Sequence, residues 1–206
     1  MMDSVPPYYV VTGHQVHGFK VARVDRADMT REELEGYDAL ITNVPGCAIG
    51  VRTADCIPVL LYDPVKRAVA AVHSGWKGTV QKISQKTIIR MIRDYGTRPE
   101  NLHAVIGPGI SKPFFQVGNE VVQFFKEALF PLEEIWSFDG VSQERSLQGG
   151  HHIDLVKANK WLLTEFGIPE SHIQCCGICS YSDRRFYSAR RDGFECGRTI
   201  NSIKLI

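Results

Sequence analysis

The stretch ADCIPVLLYDPVKRAVAAVHSGWKG, residues 54–78, constrains the fold more than any other part of the chain. Two β-rich runs flank Asp63-Pro64-Val65-Lys66. Asp at the first turn position and Pro at the second suit a type I turn, so the segment reads as a β-hairpin. With Asp63 opposite Lys66, Cys56 falls directly opposite His73. Residues so opposed project on one face with Cβ atoms ~4.5–5.5 Å apart. A thiolate and an imidazole at that spacing form a two-ligand clip for zinc, which binds sulfur at ~2.3 Å and imidazole nitrogen at ~2.0–2.1 Å. A bulge in the turn would shift this register. The plainer alternative is a buried cysteine and a histidine that hydrogen-bonds the loop after it.

A third ligand has to come from elsewhere, and HQVHG at residues 14–18 offers His14 or His17. Three protein ligands and a fourth position open to water describe a catalytic zinc site rather than a structural one. Water bound there has its pKa lowered towards ~7.

Around the hairpin the first third of the chain alternates short β-rich runs with turns: YYVVTGHQV, FKVARV, DALITN and CAIGVRT. A helix is expected from about Thr79 to Tyr95, with Val80, Ile83, Ile88, Met91, Ile92 and Tyr95 on one stripe and Gly96 as its stop. HAVIG (103–107) reads as a strand. Further helices are expected over 118–129, with Val121, Val122, Phe125 and Leu129 inward, and over 154–166, ending at Gly167. Short strands are expected around 172–178 and 185–190. Strands and helices mix without regular βαβ alternation, so the expectation is a single α+β domain over residues 1–206, a mixed β-sheet with flanking helices.

The 206 residues carry 24 Lys plus Arg against 23 Asp plus Glu, a net charge of +1. That balance argues against a nucleic-acid partner, whose footprint would be a clustered basic excess, and favours a small-molecule substrate. No apolar run approaches the ~20 residues that span a bilayer. MMDSVPPYYVV lacks the basic and apolar regions of a signal peptide, so a cytoplasmic protein without membrane contact is the expectation. Of the six cysteines, Cys176 and Cys179 form a lone C-x-x-C with no second pair, better read as buried thiols than as a zinc site. His151, His152 and Asp154 read as structural, with Asp154 an N-cap.

Three further groups are candidates for the chemistry. Asp55 precedes Cys56 and is either a general base or a structural support. Ser74-Gly75-Trp76-Lys77-Gly78 joins the His73 strand to a helix and makes an anion site with Lys77 as a point charge, or simply a connection. Arg190 and Arg191 close a strand and suit bidentate phosphate contact, although pairing with Asp192 would use the same groups.

Taken in order, HQVHG, TADC with IPVLLYDP behind it, VHSGWKG, IGPGI and YSARRDG resemble the YfiH/laccase-domain family from about residue 14 to the C-terminus. The resemblance implies a zinc-binding single-domain fold that acts on purine nucleosides. The implied activities are phosphorolysis of adenosine, inosine, guanosine and methylthioadenosine, and adenosine deamination. It implies His17, Cys56 and His73 as the metal ligands, which selects His17 over His14. In an extended stretch, His14 would lie on the opposite face and be structural. Family members usually carry a further segment before the Gln-Val-His-Gly motif, and here the chain opens close to that motif. Two alternatives stand beside this reading: a copper-dependent polyphenol oxidase, the activity in the family's older name, and a metal-binding module without turnover. Neither the preferred nucleoside nor the oligomeric state is legible.

Overall fold

The computed structural model describes residues 9–139 and 150–206. Residues 1–8, which bear on the expectation about a signal peptide, lie outside them. The elements follow in order as β1 (Val10–Thr12), β2 (Val21–Arg23), β3 (Ala39–Thr42), β4 (Ala48–Thr53), β5 (Ile57–Asp63), β6 (Ala68–Ser74), α1 (Trp76–Val80) and α2 (Ile83–Tyr95). There follow β7 (His103–Ile106), β8 (Gln116–Val117), α3 (Asn119–Glu127), α4 (Leu132–Ile135), β9 (Trp136–Phe138), β10 (His151–Ile153) and α5 (Leu155–Glu165). The chain ends with β11 (Ile173–Cys175), α6 (Ala189–Asp192) and β12 (Thr199–Lys204).

A six-stranded mixed sheet in the order β11-β7-β5-β6-β3-β2 forms the middle layer. On one face lie α2 and α5, packed on Ala39, Ile41, Ala70 and Val72. On the other lies the three-stranded sheet β1-β4-β12, packed through Ile49 and Val51 on Leu40, Val69 and Ala71. Covered on both faces, β6 is buried at all seven positions, which is why Ala68 to Val72 run apolar without alternation. A third small sheet, β8-β10-β9, flanks this body. The α+β expectation holds, with three sheets in place of one.

The hairpin β5–β6 forms, but in another register. Asp63 pairs with Ala68 and Pro58 with His73. The Asp63 carboxylate accepts the N–H groups of Val65 and Lys66 at 2.9 and 3.0 Å. The turn then continues to Arg67, which takes a left-handed φ of 46°. This wider loop slides the strands by two positions in total, so side chains keep their faces. Cys56 lies just before β5 and faces Gly75 instead of standing opposite His73.

Other boundaries also differ. The expected first helix is two: α1 stops after Val80 and Lys82 adopts φ 58° before α2 begins. Ile92 and Leu129 were expected inside but are exposed; Leu129 lies past the end of α3 at φ 63°. Residues 185–190 form no strand, and Arg190 and Arg191 lie instead on the single turn α6, capped by Ser188. The Asp154 N-cap is present, accepting the Lys157 N–H at 2.9 Å. Of the C-x-x-C pair expected to be buried, Cys176 is exposed and Cys179 half-buried. Among the described residues no helix is long and apolar enough to cross a membrane.

Candidate metal centre

His73 is the penultimate residue of β6, on the face turned away from α2 and α5. Because Ala39 pairs with Val72, Asp38 is its cross-strand neighbour, and the His73 N–H donates to the Asp38 carbonyl at 2.8 Å. The side chains meet too: His73 Nδ1 lies 2.7 Å from Asp38 Oδ1. That contact fixes the tautomer, with Nδ1 protonated towards the carboxylate and Nε2 left for a ligand.

The same carboxylate gathers the loop that carries His17. It accepts the backbone N–H groups of Val16 at 3.2 Å, His17 at 2.9 Å and Gly18 at 2.8 Å. Three convergent donors wrap the chain around Asp38, and His17 sits in the left-handed region at φ 59°. The HQVHG segment is therefore a turn, not an extended strand. His14 is separated from the cluster by this turn, and its Nδ1 contacts the Glu35 carboxylate on the surface.

Cys56 completes the group. Donor atoms of His17, Cys56 and His73 all lie within 4.8 Å of one another, and the two imidazoles meet edge to face with centroids 4.9 Å apart. A Cβ at Gly75 would come within 2.9 Å of Cys56 Sγ and 3.2 Å of His17 Cδ2, so this corner accommodates only glycine.

Electrostatics favour the ligating thiolate at Cys56 but the protonated form of His73. Burial pushes the Cys56 thiol up, but the charge of His73 and hydrogen bonds from His17 and His73 outweigh it and bring the pKa down to about 6. Burial pushes His73 down, and the Cys56 thiolate with the Asp38 carboxylate lifts it to about 9. Burial raises Asp38, yet the donors from His73, Gly18 and Val16 hold it below the usual carboxylate range. Protons compete with a cation for this cluster, so a metal would displace the one on His73 Nε2. Two imidazoles and one thiolate would suit a zinc ion, and all three side chains border a cavity.

That cavity, of about 850 Å³, has His17, Cys56 and His73 on its wall. Trp76, Phe115 and Phe194 supply aromatic surface beside them. Asp55 also lines it, in a left-handed conformation at φ 84°. Its carboxylate accepts the Ser180 hydroxyl at 2.7 Å and the Arg190 N–H at 2.7 Å, which ties the C-terminal segment to the bend that carries Cys56.

The other sequence candidates separate. Arg190 lines the cavity, but its guanidinium donates to the Phe114 and Gln116 carbonyls at 3.1 and 3.0 Å. Arg191 lies off the cavity wall; it donates to the Ser180, Tyr181 and Phe186 carbonyls and pairs with Asp192. Lys77 is off it as well, exposed and lying over the Trp76 ring. Sequence reasoning missed Asp38. A lone acidic residue at the start of an apolar strand hinted at a buried partner without naming it.

The family profile described as multi-copper polyphenol oxidoreductase laccase matches residues 2–206. The chain belongs to this family. The purine nucleoside phosphorylase of Bacteroides thetaiotaomicron is 42% identical over 176 residues, covering 85% of this chain and 63% of that protein. Adenosine deaminase RL5, from an unknown prokaryotic organism, is 38% identical over 94% of this chain and 74% of its own length. Among solved structures, YfiH of Bacillus licheniformis superposes with a TM-score of 0.85 at 29% identity, covering 97% of this chain and 75% of that one. The family's description speaks of several coppers. Among the described residues, however, one group of three or more His, Cys, Asp or Glu side chains converges. The remaining histidines are scattered: His103 and His172 stack on each other at 4.2 Å, and His151 packs against Trp136.

Proposed function

We propose that the protein is a zinc-dependent purine nucleoside phosphorylase, acting on adenosine, inosine, guanosine and methylthioadenosine, with adenosine deaminase activity. The observation that carries this reading is the convergence of His17, Cys56 and His73 on the wall of a cavity within the ~300–1,000 Å³ of small-molecule sites. The names of the relatives support the substrate class and both reactions.

A zinc ion held by these three residues supplies Lewis acidity at the cavity wall. Asp38 keeps His73 Nε2 and the His17 turn aimed at that point. Trp76, Phe115 and Phe194 offer apolar surface for the purine and exclude water from it. In phosphorolysis a phosphate oxygen bonds to the ribosyl C1′ as the C1′–N9 bond breaks. The electron pair stays on the purine nitrogen, which takes a proton from solvent, so free base and ribose 1-phosphate form. In deamination a water oxygen bonds to purine C6 and the exocyclic nitrogen leaves as ammonia. Asp55, on the cavity wall, takes the water proton and returns it to that nitrogen. Arg190, held by two carbonyls, steadies the wall at Phe114–Gln116.

The test is to incubate zinc-loaded protein with inosine and phosphate and to follow hypoxanthine and ribose 1-phosphate. Their appearance in equal amounts supports the reading, as does ammonia from adenosine. Oxidation of phenols by a form carrying several coppers per chain, with no base release, replaces it with the oxidase.

A further inference from the structure

Four arginines line the cavity: Arg31, Arg52, Arg190 and Arg198. Arg190 is committed to the Phe114 and Gln116 carbonyls. Arg198 is committed to the carbonyls of Phe194, Cys196 and Gly197. Arg31 is exposed, and its charge is felt by Glu32 next to it. Arg52 differs from all three. It is half-buried, and among the described residues no group accepts from its guanidinium or pairs with it. A partly desolvated cation without a counter-charge is unfavourable unless an anion visits the site.

Its backbone is held on both sides. The Arg52 N–H donates to Gln15 Oε1 at 2.8 Å, and Gln15 Nε2 donates to the Arg52 carbonyl at 2.8 Å. Gln15 belongs to the same turn as His17, so these bonds tie the Arg52 backbone to that turn. Along the chain, Arg52, Ala54 and Cys56 all reach the cavity wall, which sets Arg52 a few residues from the cluster. A planar fork with open donors on a rigid strand suits the oxygens of a tetrahedral oxyanion.

We propose that Arg52 binds the phosphate co-substrate and thereby sets the balance between the two reactions of this site. The inference rests on the proposed phosphorylase activity and deepens it. Phosphorolysis requires inorganic phosphate beside C1′, whereas deamination requires only water at C6. Arg52 therefore acts on one reaction and has no anion to hold in the other.

The test compares wild-type protein with Arg52→Gln and Arg52→Lys, with circular dichroism and thermal unfolding to show that each folds. Adenosine serves as substrate for both reactions at once, so adenine and ammonia are measured in the same vessel as phosphate is varied. The expected result is a rise of about tenfold or more in the phosphate KM of Arg52→Gln. The ratio of adenine to ammonia at fixed phosphate falls by a similar factor, and Arg52→Lys lies between. An unchanged phosphate KM overturns the proposal, and so does an equal loss of both activities. A second readout needs no turnover: inorganic phosphate titrated into metal-free protein and followed by phosphorus NMR. Binding weakened about tenfold by Arg52→Gln supports the assignment even if no nucleoside reacts, an outcome that would remove the proposed function alone. Equal phosphate binding by both proteins overturns it.

Discussion

Asp38 links the two histidines of the cluster. Its buried carboxylate accepts hydrogen bonds from His73 Nδ1 and from three backbone N–H groups around His17. Partners of this kind orient metal-binding histidines and raise their basicity, and their loss typically costs ~10–100-fold in metal affinity. Asp38→Asn is therefore expected to lower zinc affinity by about that factor, measured by competition with a chromophoric chelator. Wild-type affinity in this variant would show that the carboxylate serves the fold alone. At this scale the sequence was partly legible. Cys56 and His73 stand out because they frame one hairpin. The choice of His17 over His14 came from the family pattern, and the physical reason for it, a left-handed turn drawn around Asp38, depends on a contact distant in sequence. The arginines were harder to read, since Arg190 and Arg191 look alike as letters and only their carbonyl partners separate them.

The loop after β6 is tied to the helical layer by a buried polar network. Asn159 on α5 donates to the Thr79 hydroxyl at 3.2 Å and to the Leu155 carbonyl at 2.9 Å. Thr79 in turn meets Ser74 at 3.0 Å and donates to the Gly75 carbonyl at 2.9 Å. Buried Ser84 donates to Asn159 Oδ1 at 3.4 Å, so removing the amide leaves that hydroxyl without its acceptor, at ~1–3 kcal/mol. Asn159→Ala should lose about that much stability in chemical denaturation. A loss near zero would mean that the network contributes nothing net. The end of α2 makes a pH-dependent contribution. Burial raises the Tyr95 phenol to about 12 against opposing help from Arg23, and its hydroxyl has no partner among the described residues. A raised pKa means that the folded state favours the neutral phenol. Its contribution is complete below the unfolded pKa of ~10 and is lost as the pH climbs through about 12. Tyr95→Phe should flatten the fall in stability between these pH values relative to wild type; parallel curves would contradict this. Long apolar periodicities such as α2 and α5 were readable from sequence. The register of β5–β6 was not, because the Asp63 side chain builds a wider turn than its residue types advertise.

The molecule is three layers deep, and the cluster lies where β6 of the middle sheet meets the loops around the smaller sheet. Residues from the N-terminal turn, the start of β5, the end of β6 and the C-terminal segment meet there only because the layers stack. This explains why the fold class followed from the sequence while the cavity wall did not. Phe194 and Arg198 share the cavity wall with Cys56 from more than a hundred positions away, and no local pattern announces that. The measurement that bears most directly on the proposed chemistry is phosphate-dependent release of hypoxanthine from inosine by protein of known zinc content. One zinc per chain is expected, with release that needs both zinc and phosphate and disappears in Cys56→Ala. Zinc-loaded protein that releases no base at any phosphate concentration, or releases it equally after the metal is stripped, would contradict it.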